Sequence, residues 1–431
     1  MSAVPGPALV VVASLLLAAP RASAQPPAPE APPPEAPIIQ LSEEGFSLSS
    51  GDKAFVVKLR GQLQADGRFF VDDPERNGTN TFVMRRVRPI LDGTFFGFVD
   101  FRFMPDFGSA QPLVQDAWID FHPSDKVRLR AGKFKTPFGL ELLQAAVNTP
   151  FIERSLTVDL VPIRDVGLEL HGNVLGGRLQ YSVAALNGEA DGVSSDLNTD
   201  DGFDLAARLF VQPFKAGGPS LLKGLGVGFA VTRGQQFGTP GSASTTGVSV
   251  LRSTGQEILF NYLTGAGAGA TVTAYGEHLR YSPQGYFYVG PLGLLAEYVS
   301  SSQEVRVGDA RARLRHQAWQ ALASWVVFGG DAAYDGVKPT TPFDPETGRG
   351  GALEVAVRYH ALDLDDDAFP LFADPTKSVT AAKGFGVGAN WYFNKRVRFG
   401  ANFHRTDYEG GATEGDRAPE NVFITRFQVA F

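Results

Sequence analysis

The sequence predicts an all-β fold, a 16-stranded antiparallel transmembrane β-barrel, and three observations carry that expectation. Polar and apolar residues alternate over unusually long runs, the only long apolar segment is an N-terminal leader, and the chain ends on an aromatic strand. In the last eleven residues Phe423, Thr425, Phe427, Val429 and Phe431 share one face, opposite Val422, Ile424, Arg426, Gln428 and Ala430. About ten tilted residues of this kind cross a bilayer, with lipid on one side and a lumen on the other. A pore is the first functional expectation from such a chain. Composition agrees: 431 residues hold 49 Gly and 33 Phe, and mean hydropathy is close to zero. Cysteine is absent, which excludes a disulfide framework and a thiolate metal site.

From the N-terminus, Ala8–Ala19 is apolar but shorter than the roughly 20 residues of a spanning helix. Ala22-Ser23-Ala24 follows, so residues 1–24 read as a signal peptide with Gln25 as the first mature residue. No Lys or Arg precedes the apolar run, which leaves its leading part weak. Residues 25–50 are expected to be a periplasmic linker, because the proline-rich stretch Gln25–Pro37 cannot pair into a sheet. The barrel then takes 51–431.

Lys53–Phe70 alternates Phe55, Val57, Leu59, Leu63, Ala65 and Phe69 against Lys58, Arg60, Gln62, Gln64, Asp66 and Arg68. Fifteen further segments, starting with Thr81–Phe96 and ending with 421–431, bring the strand count to 16, more and longer than a soluble sheet would hold. Tight joints at Phe96-Gly97, Pro123–Asp125, Gly176-Gly177, Gly290-Pro291 and Asn394-Lys395 alternate with longer polar stretches, as short periplasmic turns alternate with outer loops. The stretch 328–350 is long although parity places it inside, and 254–263 is assigned to an outer loop because a strand there makes the total odd. Trp325, Phe328, Trp391, Tyr392 and Phe393 gather near strand ends, as interface girdles do.

Net charge is −7, with 28 Arg against 11 Lys. Arginine suits bidentate oxyanion recognition, although a GC-rich gene raises it too, so position must decide. Period two places fourteen arginines on the lumen face, among them Arg60, Arg86, Arg88, Arg130, Arg313 and Arg315. Arginine rings lower the barrier for anions. Carboxylates such as Asp66, Asp92, Asp116, Asp120 and Glu169 share that face, so cross-strand pairing that merely stiffens the wall is the competing outcome. The stretch of about 30 residues after the fifth strand is too apolar for open water. Folded inward, it would bury Phe138, Leu140, Phe151 and Ile152 and present Lys135, Arg154 and Ser155 to a channel.

Arg85-Arg86-Val87-Arg88, Gln115–Trp118, Gly132–Phe138 (GKFKTPF), Phe151–Ser155 (FIERS) and Arg164–Gly167 (RDVG) together resemble the phosphate-selective porin O and P family of Gram-negative outer membranes. The resemblance covers roughly Gly51–Phe431. It implies a cell outer membrane location, a homotrimer, an inward-folded third loop, and passage of phosphate or polyphosphate along arginines to a lysine- and serine-containing constriction. By this carry-over Arg154, Ser155 and Arg164 are constriction candidates and Arg86 and Arg88 wall candidates. The sequence departs in one respect: Phe151–Asp165 contains no lysine.

The expected constriction is therefore Lys135, Arg154, Ser155 and Arg164, with Arg60, Arg86, Arg88 and Arg130 on the wall. Expected partners are small inorganic anions, outer-membrane lipid and lipopolysaccharide, with no cofactor, no nucleic acid and no catalysis. The six histidines form no HExxH, and no GxSxG or P-loop occurs. Asp363, Asp365, Asp366 and Asp367 begin like a calcium loop but have Ala368 where glycine is needed. Two other readings stand beside the anion channel: a non-selective porin of the same fold, and a structural or adhesive barrel with a plugged lumen.

Overall fold

Sixteen antiparallel strands close on themselves in a computed structural model that describes residues 36–42, 45–73, 78–108, 112–194, 196–239, 241–242, 244–265 and 269–431. They are β1 (Phe55–Phe70), β2 (Thr81–Phe95), β3 (Val99–Asp106), β4 (Leu113–Ser124), β5 (Val127–Lys135), β6 (Arg164–Val174), β7 (Leu179–Leu186) and β8 (Asp204–Val211). The second half is β9 (Leu225–Phe237), β10 (Thr273–Val289), β11 (Leu292–Val307), β12 (Ala310–Phe328), β13 (Ala352–Asp363), β14 (Val379–Tyr392), β15 (Val397–Gly410) and β16 (Glu420–Ala430). Each pairs with the next in sequence, and β16 returns to β1 from Val422↔Phe70 to Ala430↔Gln62. Full closure leaves the wall no open edge, so its strands can pair their backbone donors with one another without water.

Residues 1–35, which carry the expected signal peptide and most of the proline-rich stretch, lie outside the described residues. The linker expected to reach residue 50 differs over its last part. Ile38–Ser42 and Gly45–Ser49 form a hairpin, and Phe46–Ser49 pairs with Val56–Leu59 of β1 beyond the end of β16. This stretch has no proline, and Ile38, Ile39, Phe46 and Leu48 favour extended backbone.

Along β1 the alternation holds, with Leu59 and Leu63 exposed and Gln64 and Asp66 buried. The register of β1 against β2 slips between Gln64↔Arg86 and Ala65↔Met84. Arg85 is thus the extra residue of a β-bulge, which turns it inward beside Arg86. Arg313 and Arg315 are a correction: both point outward, and Leu314, His316, Ala318 and Gln320 point in. The reason is packing. Leu259, Phe260, Tyr262 and Phe372, from the loops 238–272 and 364–378, bury against Leu314, Ala318 and Leu362, so the lumen face there is apolar. The segment 254–263 adds no strand to the barrel wall, as expected, although its side chains pack into the lumen; Ile258–Phe260 pairs with Leu251–Arg252 in a separate ribbon.

Connections alternate sides, with short joints at 125–126, 175–178 and 290–291 on one side and loops such as 136–163 and 238–272 on the other. The joint 308–309 is a short exception among the loops, and 212–224 and 329–351 are the longer exceptions opposite. Trp325, Phe328 and Trp391 form the inner aromatic ring, with Phe328 and Trp391 5.8 Å apart. Tyr392 instead turns inward, its hydroxyl donating to Glu354 Oε2 at 2.7 Å. A second ring stands nearer the outer ends, where Tyr281 meets Tyr298 at 6.1 Å and Trp319 meets Tyr359 at 5.4 Å.

Candidate permeation site

The segment 136–163 between β5 and β6 is held by side chains from around the barrel, six of them from the five strands β10, β13, β14, β15 and β16. Gln284 of β10 donates to the Phe138 carbonyl (2.8 Å), Arg398 of β15 to Thr149 (2.8 Å), Asn390 of β14 to Pro150 (2.7 Å) and Arg426 of β16 to Ile152 (2.8 Å). Asn402 of β15 accepts from the Ile152 amide (2.6 Å), and His360 of β13 accepts from that of Leu156 (3.0 Å). Phe138, Leu140, Phe151 and Ile152 are all buried, as their apolar character required.

At its centre lies a single turn, α1 (Leu140–Leu143), capped at both ends by opposite charge. Glu297 of β11 accepts from the Leu140 and Glu141 amides at 2.5 and 3.1 Å. At the other end Lys135 Nζ donates to the carbonyls of Leu142, Leu143 and Gln144 at 2.6, 3.2 and 3.0 Å. Arg154 Nη2 donates to Leu142 and Gln144 at 3.4 and 3.2 Å, with its Nε on Glu141 O. A carboxylate at the amide end and cations at the carbonyl end both match the dipole of the turn. Glu297→Gln should lower the thermal midpoint and raise open-channel noise, because a charge-assisted cap is worth about 1.5–3 kcal/mol. Unchanged noise and midpoint would remove Glu297 from this role.

Two cavities face each other across the carbonyls shared by Lys135 and Arg154. The outer one, about 200 Å³, is lined by Arg85, Arg86, Glu153, Arg154, Ser155 and Arg252 among others. The inner one, about 450 Å³, is lined by Arg102, Trp118, Arg130, Lys135, Arg208 and Tyr334 among others. A wider mouth of about 590 Å³ above the outer cavity shares Arg85 and Gln256 with it and adds Arg68.

The expected constriction residues come together unequally. Lys135 and Arg154 meet at α1. Ser155 lines the outer cavity, but its hydroxyl donates to Glu141 Oε2 at 2.6 Å and so positions the segment. Arg164 is buried and donates from Nε to Asp116 Oδ1 at 2.8 Å. On the wall, Arg60 and Arg102 share Asp92, the latter at 3.0 Å. Arg88 donates to Asp106 at 2.7 Å. Arg130 reaches Asp120 (2.8 Å) and Glu169 (3.0 Å) with its guanidinium over Trp118. Arg86 is the exception: among the described residues it donates to the Gln64 amide oxygen at 2.7 Å and to no carboxylate.

Several residues of the site escape a period-two reading. Arg85 faces in only because of the bulge. Glu153 gathers Arg68 (3.2 Å), Arg85 (2.7 Å) and Arg426 (3.7 Å), and Arg252 arrives from the long loop between β9 and β10. Arg208, by contrast, is one of the fourteen arginines that period two places inward, and it bears on the inner cavity with the Gln284 amide oxygen as its partner at 3.0 Å. Tyr334 of the long inner connection stacks on Tyr286 at 4.9 Å and donates to the Leu140 carbonyl at 2.7 Å, so 329–351 supports α1. The arginines carried a signal in the abundance of Arg; Tyr334 carried none. Asp365 accepts from the Asp367 amide and from the Arg315 amide, capping a turn; no cluster able to hold a metal occurs among the described residues.

Comparisons with known proteins bear on this geometry. The sequence model of the family described as phosphate-selective porin O and P matches residues 57–431. Porin O of Pseudomonas aeruginosa is 25% identical over 426 residues, covering 92% of this chain and 93% of that protein. Among solved structures, the outer membrane channel DcaP of Acinetobacter baumannii superposes with a TM-score of 0.57 at 12% identity, covering 87% of this chain and 97% of the other. The trimer form of OmpT, an outer membrane protein of Vibrio cholerae, gives 0.51 at 12% identity over 87% and 99%. At such identities the two structures speak to the fold alone.

Proposed function

The chain belongs to the phosphate-selective porin O and P family and is thereby an outer-membrane porin of a Gram-negative bacterium, and we propose that it passes small inorganic anions by passive diffusion, phosphate or polyphosphate foremost. A channel rather than an enzyme is what that membership implies. The observation that carries the anion reading is a sorting of charge. Arg86 and Arg154 line the outer cavity, Lys135 and Arg208 the inner one, and among the described residues all four bond to amide or carbonyl oxygens instead of carboxylates. Their charge is left for a passing ion. Segment 136–163 would narrow the lumen between the two cavities. An anion would exchange its water for guanidinium and ammonium contacts, kept weak and multiple so that it leaves again.

A homotrimer fits the wall as well as the trimeric relative in fold. β3, β7 and β8 have eight residues each. At about 3.4 Å per residue and a tilt of about 40° such a strand rises about 21 Å, short of an apolar band of about 25 Å. Neighbouring copies would cover that low wall and its exposed Phe103 and Phe121. The carboxylates paired with Arg60, Arg88 and Arg130 favour a second reading, a porin of the same fold without selectivity.

Planar-bilayer recording separates these. The reversal potential in a KCl gradient should favour chloride, and phosphate should block chloride current at about millimolar concentration or below, an affinity of about 4 kcal/mol or more. Ohmic, cation-preferring conductance without phosphate block would sink the anion reading, and absence of conductance would favour a plugged barrel.

A further inference from the structure

Above the outer aromatic ring, the lipid-facing surface of β9, β11 and β12 changes from apolar to cationic. The outward residues of β12 run Trp325, Ala323, Ala321, Trp319 and then Gln317, Arg315, Arg313, Arg311. The strand from Phe328 to Trp319 covers about 30 Å, or about 23 Å along the membrane normal at a tilt of about 40°, close to the height of a barrel's apolar band. The arginines therefore climb from about 10 Å (Arg315) to about 21 Å (Arg311) above Trp319 along the normal, through the headgroup layer of the outer leaflet. Lower down, in hydrocarbon, each would cost about 2–4 kcal/mol.

Two carboxylates of this patch, Glu277 and Glu304, are already engaged. Arg233 lies 2.5 Å from Glu277, and Arg313 reaches Glu277 at 2.8 Å and Glu304 at 2.7 Å. Arg306 of β11 and Arg311 of β12 face each other directly across the strand pair. Neither is ion-paired with a carboxylate among the described residues; their guanidinium carbons lie 4.4 and 4.2 Å from the centre of one ring, Tyr275 of β10. Like charges directly opposite on neighbouring strands repel, and a shared tyrosine attracts each without neutralising either. A phosphate bridging both guanidinium groups would relieve that repulsion with several charge-assisted hydrogen bonds.

We propose that Arg306, Arg311 and Tyr275, flanked by Arg313 and Arg315, bind the phosphate headgroup of a phosphorylated glycolipid in the outer leaflet. Lipid is the source, because the patch faces away from the lumen and its apolar surface continues down through Tyr298 and Trp319. The site rests on the placement of the barrel in the membrane and is independent of what crosses its lumen.

The test uses purified full-length protein in detergent, with bisphosphorylated lipid A as the probe and native mass spectrometry as the readout. Arg306→Gln with Arg311→Gln should weaken lipid A binding by about tenfold or more, while reversal potential and phosphate block stay unchanged. Lipid A stripped of its phosphates should bind the unaltered protein about as weakly as intact lipid A binds that variant. Equal binding of the two lipids, or unchanged affinity in the double variant, overturns the site. Full displacement of lipid A by excess inorganic phosphate would show a free-ion site and overturn the lipid assignment. If the double variant fails to fold, Arg311→Gln alone, at an exposed position, carries the same comparison with an expected loss of about threefold; retention of full affinity there overturns the site equally.

Discussion

Lys135→Met combined with Arg154→Met is expected to weaken phosphate block of the channel about a hundredfold, and to abolish its preference for chloride over potassium. Each charge-assisted contact contributes about 1.5–3 kcal/mol, and about 1.4 kcal/mol is a tenfold change, so two contacts of modest strength give two decades. Both groups sit on the carbonyls of Leu142 and Gln144, one from each cavity, so an ion passing between the cavities meets them in succession. Methionine keeps much of each stem's bulk, which limits the change to charge. The carbonyl end of α1 loses its donors in the variant, so a thermal midpoint must accompany the recording. Unchanged block at an unchanged midpoint would move the constriction elsewhere. Arg164→Met provides a contrast: it leaves Asp116 with only the more distant Arg102, 4.0 Å away, among the described residues, so chloride preference should fall and potassium permeability rise.

That contrast explains which part of the site was legible in the sequence. Period two puts a side chain on the lumen or the lipid face, and this is a property of backbone geometry alone. The sixteen strands and the closing strand after Glu420 follow from it, while the burial of Phe138 and Phe151 follows from the apolar content of a connection too long to leave in water. It does not say whether an inward arginine meets a carboxylate, since the partner lies on a neighbouring strand whose register is set by bulges and turns. Arg88 and Arg86 look alike in sequence, yet one ends on Asp106 and the other on an amide oxygen. Arg313 and Arg315 went to the wrong face for a different reason. Polarity marks the lumen only where the lumen is wet, and beside β12 it is filled by Phe260 and Tyr262. Tyr334 belongs to a third class, a contact made by a long connection with no period to read. The same distinction separates the carbonyl-bound cations at α1 from the arginines whose partners hold the wall together.

Arg426→Met addresses the second group and should destabilise the folded barrel by about 3–5 kcal/mol, the usual consequence of leaving a buried charge without its partner. Arg426 and Asp66 face each other where β16 closes on β1, and both are almost wholly buried. The guanidinium holds the carboxylate through two parallel bonds of 2.7 and 2.6 Å and donates a third at 2.8 Å to the Ile152 carbonyl. One side chain thus joins the two ends of the chain and ties segment 136–163 to the seam. Its loss strands Asp66 and weakens the balance at Glu153, 3.7 Å away. The measurement is the temperature at which the compact, heat-modifiable band is lost on gels, paired with far-UV circular dichroism of the β signal. Asp66→Leu added to Arg426→Met removes the stranded charge and should recover a large part of the loss, since an apolar pair of similar volume often matches a buried ion pair. If the double variant is no more stable than Arg426→Met alone, the stranded charge at Asp66 is not the cause, and the lost bond to Ile152 is left as the main contribution at the seam.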